Sequence, residues 1–203
     1  MKLFFCMLAG YLLGSLSPAT LFSKLKKVDL KRVGTKNPGA ANALLMLGRG
    51  YGAAVMLLDM AKAAVSVLLA RALFPASAVA PLLAGGFAIL GHIFPFYMGF
   101  KGGKGLAPFA GVVLAYDPPC FFILLVLGVG LMLIVNYTYA LPLSATPLFP
   151  LMQGVRTKSA AVLLVALALS LPVFLKHLPN RKRAKAGKDV AVRGYVKEHL
   201  FKR

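Results

Sequence analysis

The segment Gly99-Phe100-Lys101-Gly102-Gly103-Lys104-Gly105 sets two ammonium groups among four glycines. Glycine has no Cβ, so successive backbone N–H groups can turn inward and form a concave nest for an anion, with Lys104 as a point charge beside it. An apolar stretch follows at once, and a helix opening there would aim its positive dipole end at the same anion. The pattern is not Gly-x-x-x-x-Gly-Lys-Ser/Thr, which excludes a nucleotide P-loop. Lys101, Gly102, Gly103, Lys104 and Gly105 are therefore candidate phosphate-binding residues, as is His92 just upstream in Gly91-His92-Ile93-Phe94-Pro95. The plain alternative is that the glycines permit a tight turn and that His92 is an ordinary polar group at a helix end.

Two further segments combine polar chemistry with turn residues. In Gly34-Thr35-Lys36-Asn37-Pro38-Gly39-Ala40-Ala41-Asn42, Gly and Asn tolerate left-handed backbone angles and Pro38 fixes a turn. The amides at the start of the next helix can then point at an anion. An interhelical loop rich in Lys is the bland reading. The third segment runs from His177 through Asn180, Arg183 and Gly187 to Asp189 inside a dense basic run. There a histidine can cap a helix C-terminus and the cations can hold lipid headgroups.

The elements that carry these segments read as membrane spans. The 203 residues are 59% hydrophobic and only 14% charged, against roughly 25% charged in soluble domains. The net charge of +19 would suggest nucleic acid on an ordinary soluble domain. On this one it points to anionic lipid headgroups and phosphorylated substrates, with no nucleic acid. A bilayer core of about 30 Å needs around 20 apolar residues, fewer for a helix enclosed by others. Seven stretches fit, near 3–23, 52–73, 78–98, 106–116, 119–137, 139–153 and 159–176, the fourth and sixth being short. The fold expected is an all-α polytopic membrane bundle of about seven helices, a single domain over 1–203 with a basic tail at about 177–203.

Lys24, Lys26, Lys27, Lys31, Arg32 and Lys36 precede the second span, Lys101 and Lys104 follow the third, and ten more cations follow from Lys176 onward. Seven spans put all three groups on one side, against Lys2, Arg71, Arg156 and Lys158 on the other. By the positive-inside rule the N-terminus lies outside and the C-terminus in the cytoplasm. The opening apolar stretch lacks a small-residue cleavage site before a mature domain, so Met1 is expected to begin the mature chain. Cys6 and Cys120 have no second Cys or His at metal-ligand spacing and are expected to be free thiols, with no metal bound.

The three segments, in this order and spacing, resemble those of the bacterial acyl-phosphate:glycerol-3-phosphate acyltransferases, seven-span inner-membrane enzymes that begin phospholipid synthesis. The resemblance covers nearly the whole chain and is most specific from Gly91 to Gly105. It implies transfer of a fatty acyl group from acyl phosphate to the sn-1 hydroxyl of glycerol 3-phosphate, without a cofactor, in the bacterial inner membrane with the active site facing the cytoplasm. Membrane lipids are the other partners; the sequence leaves the oligomeric state open, a monomer included. By the same resemblance His177, Asn180 and Lys104 are candidate catalytic residues, and Thr35, Asn37, Gly39, Asn42 and Arg183 join the candidate substrate-binding set. An acyl phosphate is already activated, so no enzyme nucleophile is needed. What is left is to bring the hydroxyl to the carbonyl, remove its proton and stabilise an oxyanion.

This sequence departs from the family pattern at several places. Thr35 stands for Ser, Ala41 for Thr, Pro108 for Thr, Leu178 for Arg and Asp189 for Glu. Leu45 replaces an Arg, removing a bidentate phosphate contact that Arg49, one helical turn on, is placed to substitute. Pro142 replaces a Ser. These changes leave open a different acceptor, or a catalytically silent homologue that binds phosphate or lipid. A transporter of a phosphorylated metabolite is disfavoured because the chain has no internal repeat. Asp59 and Lys62, three apart in the second span, are expected to pair inside the bundle. The tail from Val190 to Arg203 has the spacing of an amphipathic surface helix.

Overall fold

The computed structural model describes residues 1–187 and 191–194, and it falls into two compact units, Met1–Pro118 and Pro119–Arg203. Helices make up both, and there is no strand among the described residues. Asp189 and most of the expected tail helix, including Val196 and Leu200, lie outside those residues.

The first unit begins with α1 (Lys2–Ser15) and α2 (Pro18–Leu25). The expected span 3–23 is thus two helices. Pro18 lacks an N–H and pushes Ser17 to extended angles, and Ser17 Oγ then caps α2 by accepting from the Thr20 N–H at 3.2 Å. After the first loop come α3 (Ala40–Leu47), α4 (Arg49–Leu73) and α5 (Val79–Ile93), a 3-10 turn at Phe96–Met98, the glycine-lysine loop, and α6 (Leu106–Tyr116). Helix α6 has the bounds read from the sequence. Its 11 residues reach about 16 Å, half a bilayer core.

Small residues let these helices touch backbone to backbone. A Cβ on Gly10 or Gly14 of α1 would run into the carbonyls of Ala84 and Ala88 on α5, and one on Gly91 into the Tyr11 carbonyl. This is small-xxx-small packing, which apolar helices in lipid use because burial alone gives them no preference for each other. Gly111 of α6 meets the Met60 carbonyl of α4 in the same way.

The second unit holds α7 (Pro118–Val135), α8 (Ala140–Thr157) and α9 (Ala160–Lys185). Helices α8 and α9 pack as an antiparallel hairpin closed by Lys158 in the left-handed region, and Ser159 caps α9 at Val162 N–H. Cys6 and Cys120 are both buried and form no disulfide. Among the described residues five segments are long and apolar enough to cross a membrane: α1 with α2, α4, α5 with its 3-10 turn, α7 and α9. Helix α8 falls short in apolarity because Pro147, Pro150, Gln153 and Arg156 dilute it, and α6 falls short in length.

Candidate active site

In the first loop one side chain organises the backbone. Asn42 is fully buried on α3, and its Nδ2 donates to the carbonyls of Leu30 at 2.8 Å and Val33 at 3.1 Å. Its Oδ1 accepts from the Thr35 N–H at 2.8 Å. A primary amide has two hydrogens, and both are taken by the loop itself. Asn42 therefore acts here as a staple rather than as an outward-facing ligand. Gly34 sits at φ +58 directly beneath Asn42 Oδ1, where a Cβ would collide with it. Leu30 plugs the loop into a cluster with Ala19, Ala43 and Val55, and Ser23 Oγ bonds the Val28 carbonyl and the Leu30 N–H. Thr35 and Asn37 are left half-buried along the rim, and Gly39, which is buried, opens α3 with its N–H on the Asn37 carbonyl.

The second loop is held by its own backbone. The N–H groups of Gly102 and Gly103, expected to face an anion, donate to the carbonyls of Ile93 at 3.0 Å and His92 at 3.1 Å. The glycines are needed for a different reason. A Cβ on Gly103 would strike His92 Nε2, and one on Gly102 would strike the His92 carbonyl and Pro95. The loop backbone lies flat on the histidine, which leaves the Lys101 and Lys104 side chains and the first turn of α6 to meet an anion. Lys104 is half-buried and Lys101 exposed; Gly105, at φ +85, starts α6.

His92 in turn rests on a buried ion pair. Lys62 Nζ lies 2.7 Å from Asp59 Oδ1, the pairing expected from their spacing, and 3.1 Å from His92 Nδ1. Asp59 Oδ1 is also 3.3 Å from that nitrogen. The ammonium donates further to the Leu16 carbonyl at 2.5 Å, in the break between α1 and α2. The same break is pinned by the Tyr97 hydroxyl on the Ser15 carbonyl, and Tyr11 reaches the Phe94 carbonyl, each at 2.7 Å. Sequence reasoning found the pair but not its third partner, because nothing in local spacing links residue 92 to residues 59 and 62.

On α9 the buried positions Val162, Ala166, Leu169, Val173, His177 and Ala184 make one inward stripe, and Asn180 lies three residues on from His177 along it. His177 Nδ1 is 2.8 Å from the Val173 carbonyl. A carbonyl can only accept, so Nδ1 carries the hydrogen and Nε2 is the nitrogen able to take up a proton. Arg183 points to the exposed side. On α8 Pro142 is buried, and the hydroxyl one turn on, Thr146 Oγ1, donates back to the Pro142 carbonyl at 2.6 Å. Leu45 is exposed on α3. Gly48 at φ +101 ends that helix, so Arg49 starts α4 and does not share the face of Leu45 as a continuous helix would require.

Comparison with known proteins matches the family model described as Glycerol-3-phosphate acyltransferase over residues 4–187, through both units. The glycerol-3-phosphate acyltransferase of Aquifex aeolicus is 33% identical, covering 93% of this chain and 98% of its own. That of Agrobacterium fabrum is 36% identical, with 90% and 88% covered. The crystal structure of PlsY (YgiH), an integral membrane glycerol 3-phosphate acyltransferase, in its glycerol 3-phosphate form superposes with a TM-score of 0.90 at 32% identity over the full length of both chains. Its lysophosphatidic acid form gives 0.87 at 30% identity.

Proposed function

The chain belongs to the glycerol-3-phosphate acyltransferase family, and from that premise we propose that it moves a fatty acyl group from an acyl phosphate to the sn-1 hydroxyl of glycerol 3-phosphate. The acceptor oxygen attacks the acyl carbon, the bond from that carbon to the phosphate oxygen breaks, and lysophosphatidate and inorganic phosphate leave. Lys104, with Lys101 and the first turn of α6, neutralises phosphate. Thr35, Asn37 and Gly39 add donors from the first loop, and Asn42 holds that loop in shape. His177 Nε2 takes the hydroxyl proton, Asn180 orients the hydroxyl, and Arg183 offers a further cation. The observation that carries the chemistry is the His177 tautomer, because the bond from Nδ1 to the Val173 carbonyl leaves the basic nitrogen on the other edge of the ring.

The two units act as one acyltransferase domain, supported by a family match that runs through both. The chain crosses the bacterial inner membrane seven times, α6 being the short crossing and α8 the less apolar one, with the N-terminus outside and the basic loops in the cytoplasm, as the positive-inside rule requires. A single cysteine at position 36 should react with a membrane-impermeant maleimide from the cytoplasmic face, and one at 158 from the opposite face.

Purified protein given palmitoyl phosphate and radiolabelled glycerol 3-phosphate should form lysophosphatidate and phosphate; binding without product would sink the assignment. Replacing His177 by Gln should lower turnover about a hundredfold or more, and unchanged turnover would remove His177 from the mechanism. A second reading, a different phosphorylated acceptor, is favoured by two positions: Leu45 presents an exposed alkyl group in place of a guanidinium, and Pro142 brings no hydroxyl. Rates with other phosphorylated alcohols, compared in the same assay, decide between the two acceptors.

A further inference from the structure

Asp59 and Lys62 lie on α4, outside the three segments that carry substrate chemistry, yet their side chains meet the His92 ring on which the glycine-lysine loop lies. Both are buried, and the ammonium is held from three elements: an ion pair with Asp59 Oδ1 on α4 at 2.7 Å, a hydrogen bond to the Leu16 carbonyl in the break of the first span, and a contact with His92 Nδ1 on α5 at 3.1 Å. The other edge of the His92 ring is the surface on which the Gly103 backbone lies. We propose that the Asp59–Lys62 pair is a positioning device for the phosphate loop, which fixes the His92 ring and thereby the path of Gly102 and Gly103 and the place where Lys104 projects. The inference rests on the acyltransferase reading of that loop. A buried ion pair serving stability alone gains little over a well-packed neutral one, whereas a pair that orients a reactive group from behind repeats a common design.

The test uses the neutral double variant Asp59→Asn with Lys62→Met, which leaves no lone buried charge, in wild-type and Lys104→Met backgrounds. In the wild-type background kcat should fall about a hundredfold, the order of loss expected for a misplacement near 1 Å. In the Lys104→Met background the same change should cost less than about threefold, because both act through one group. Equal losses in the two backgrounds, or unchanged kcat per folded molecule with only a lowered Tm, would overturn the proposal. If the double variant does not fold, Asp59→Glu, which keeps both charges and displaces the carboxylate by one methylene, carries the same comparison.

Amide exchange separates this inference from the functional reading. The Gly102 and Gly103 N–H groups should exchange at least about tenfold faster in the variant than in wild type, and identical exchange would overturn the proposal. If wild-type protein makes no lysophosphatidate, the acyltransferase reading fails and exchange alone decides the positioning role. If wild type turns over and the variant matches it, the reading stands and the positioning role falls.

Discussion

The two loops of the first unit contain similar residues and are built in opposite ways. From Gly34 to Asn42 a buried side-chain amide reaches back into the loop and bonds three backbone groups. From Gly99 to Gly105 the backbone bonds to the last turn of α5 and lies on a ring that is itself fixed by a charged pair. The lesson is that a glycine beside a lysine does not by itself mean that backbone amides face an anion. In the second loop the glycines let the chain approach His92, and the anion chemistry proposed for it passes to the lysine side chains.

The contrast can be broken most sharply at Gly103. Gly103→Ala places a methyl against His92 Nε2. It should lower acyl transfer about a hundredfold while the protein still folds; near-normal turnover would mean that the loop does not need its seat on the ring. The matching change in the first loop, Asn42→Leu, leaves two carbonyls and an N–H without partners. It should cost about 2–3 kcal/mol of stability, read as a lower Tm in detergent, whereas a Tm within a degree of wild type would contradict the staple. A smaller effect is expected from Leu45→Arg, which adds a guanidinium to the exposed face of α3. The KM for glycerol 3-phosphate should drop about threefold to tenfold, and an unchanged KM would place position 45 away from the acceptor.

Much of the fold was legible because its boundaries are written in punctuation. Gly105 and the Pro118-Pro119 pair delimit α6. The break at Leu16-Ser17 was also written, in the pair Ser17-Pro18, but an apolar stretch long enough to span hid it. At the site, Asp59 and Lys62 were legible as a pair because a helix brings residues three apart onto one face. His92 as their partner was not, since that contact depends on how α4 and α5 pack. The inward bonds of Asn42 were hidden for the same reason, as its partners lie seven to twelve residues away across a loop without periodicity. The suggestion that Arg49 replaces the missing guanidinium rested on a continuous helix, and Gly48, whose positive φ ends α3, breaks that helix before the turn is complete.

The central claim is that substrate phosphate is handled at Lys104, and the turnover of Lys104→Met against wild type, with palmitoyl phosphate and glycerol 3-phosphate both saturating, tests it most directly. A loss of about a hundredfold or more at an unaltered Tm is the result predicted. Turnover within about twofold of wild type, less than half a kcal/mol in the barrier, would contradict it and move the phosphate elsewhere.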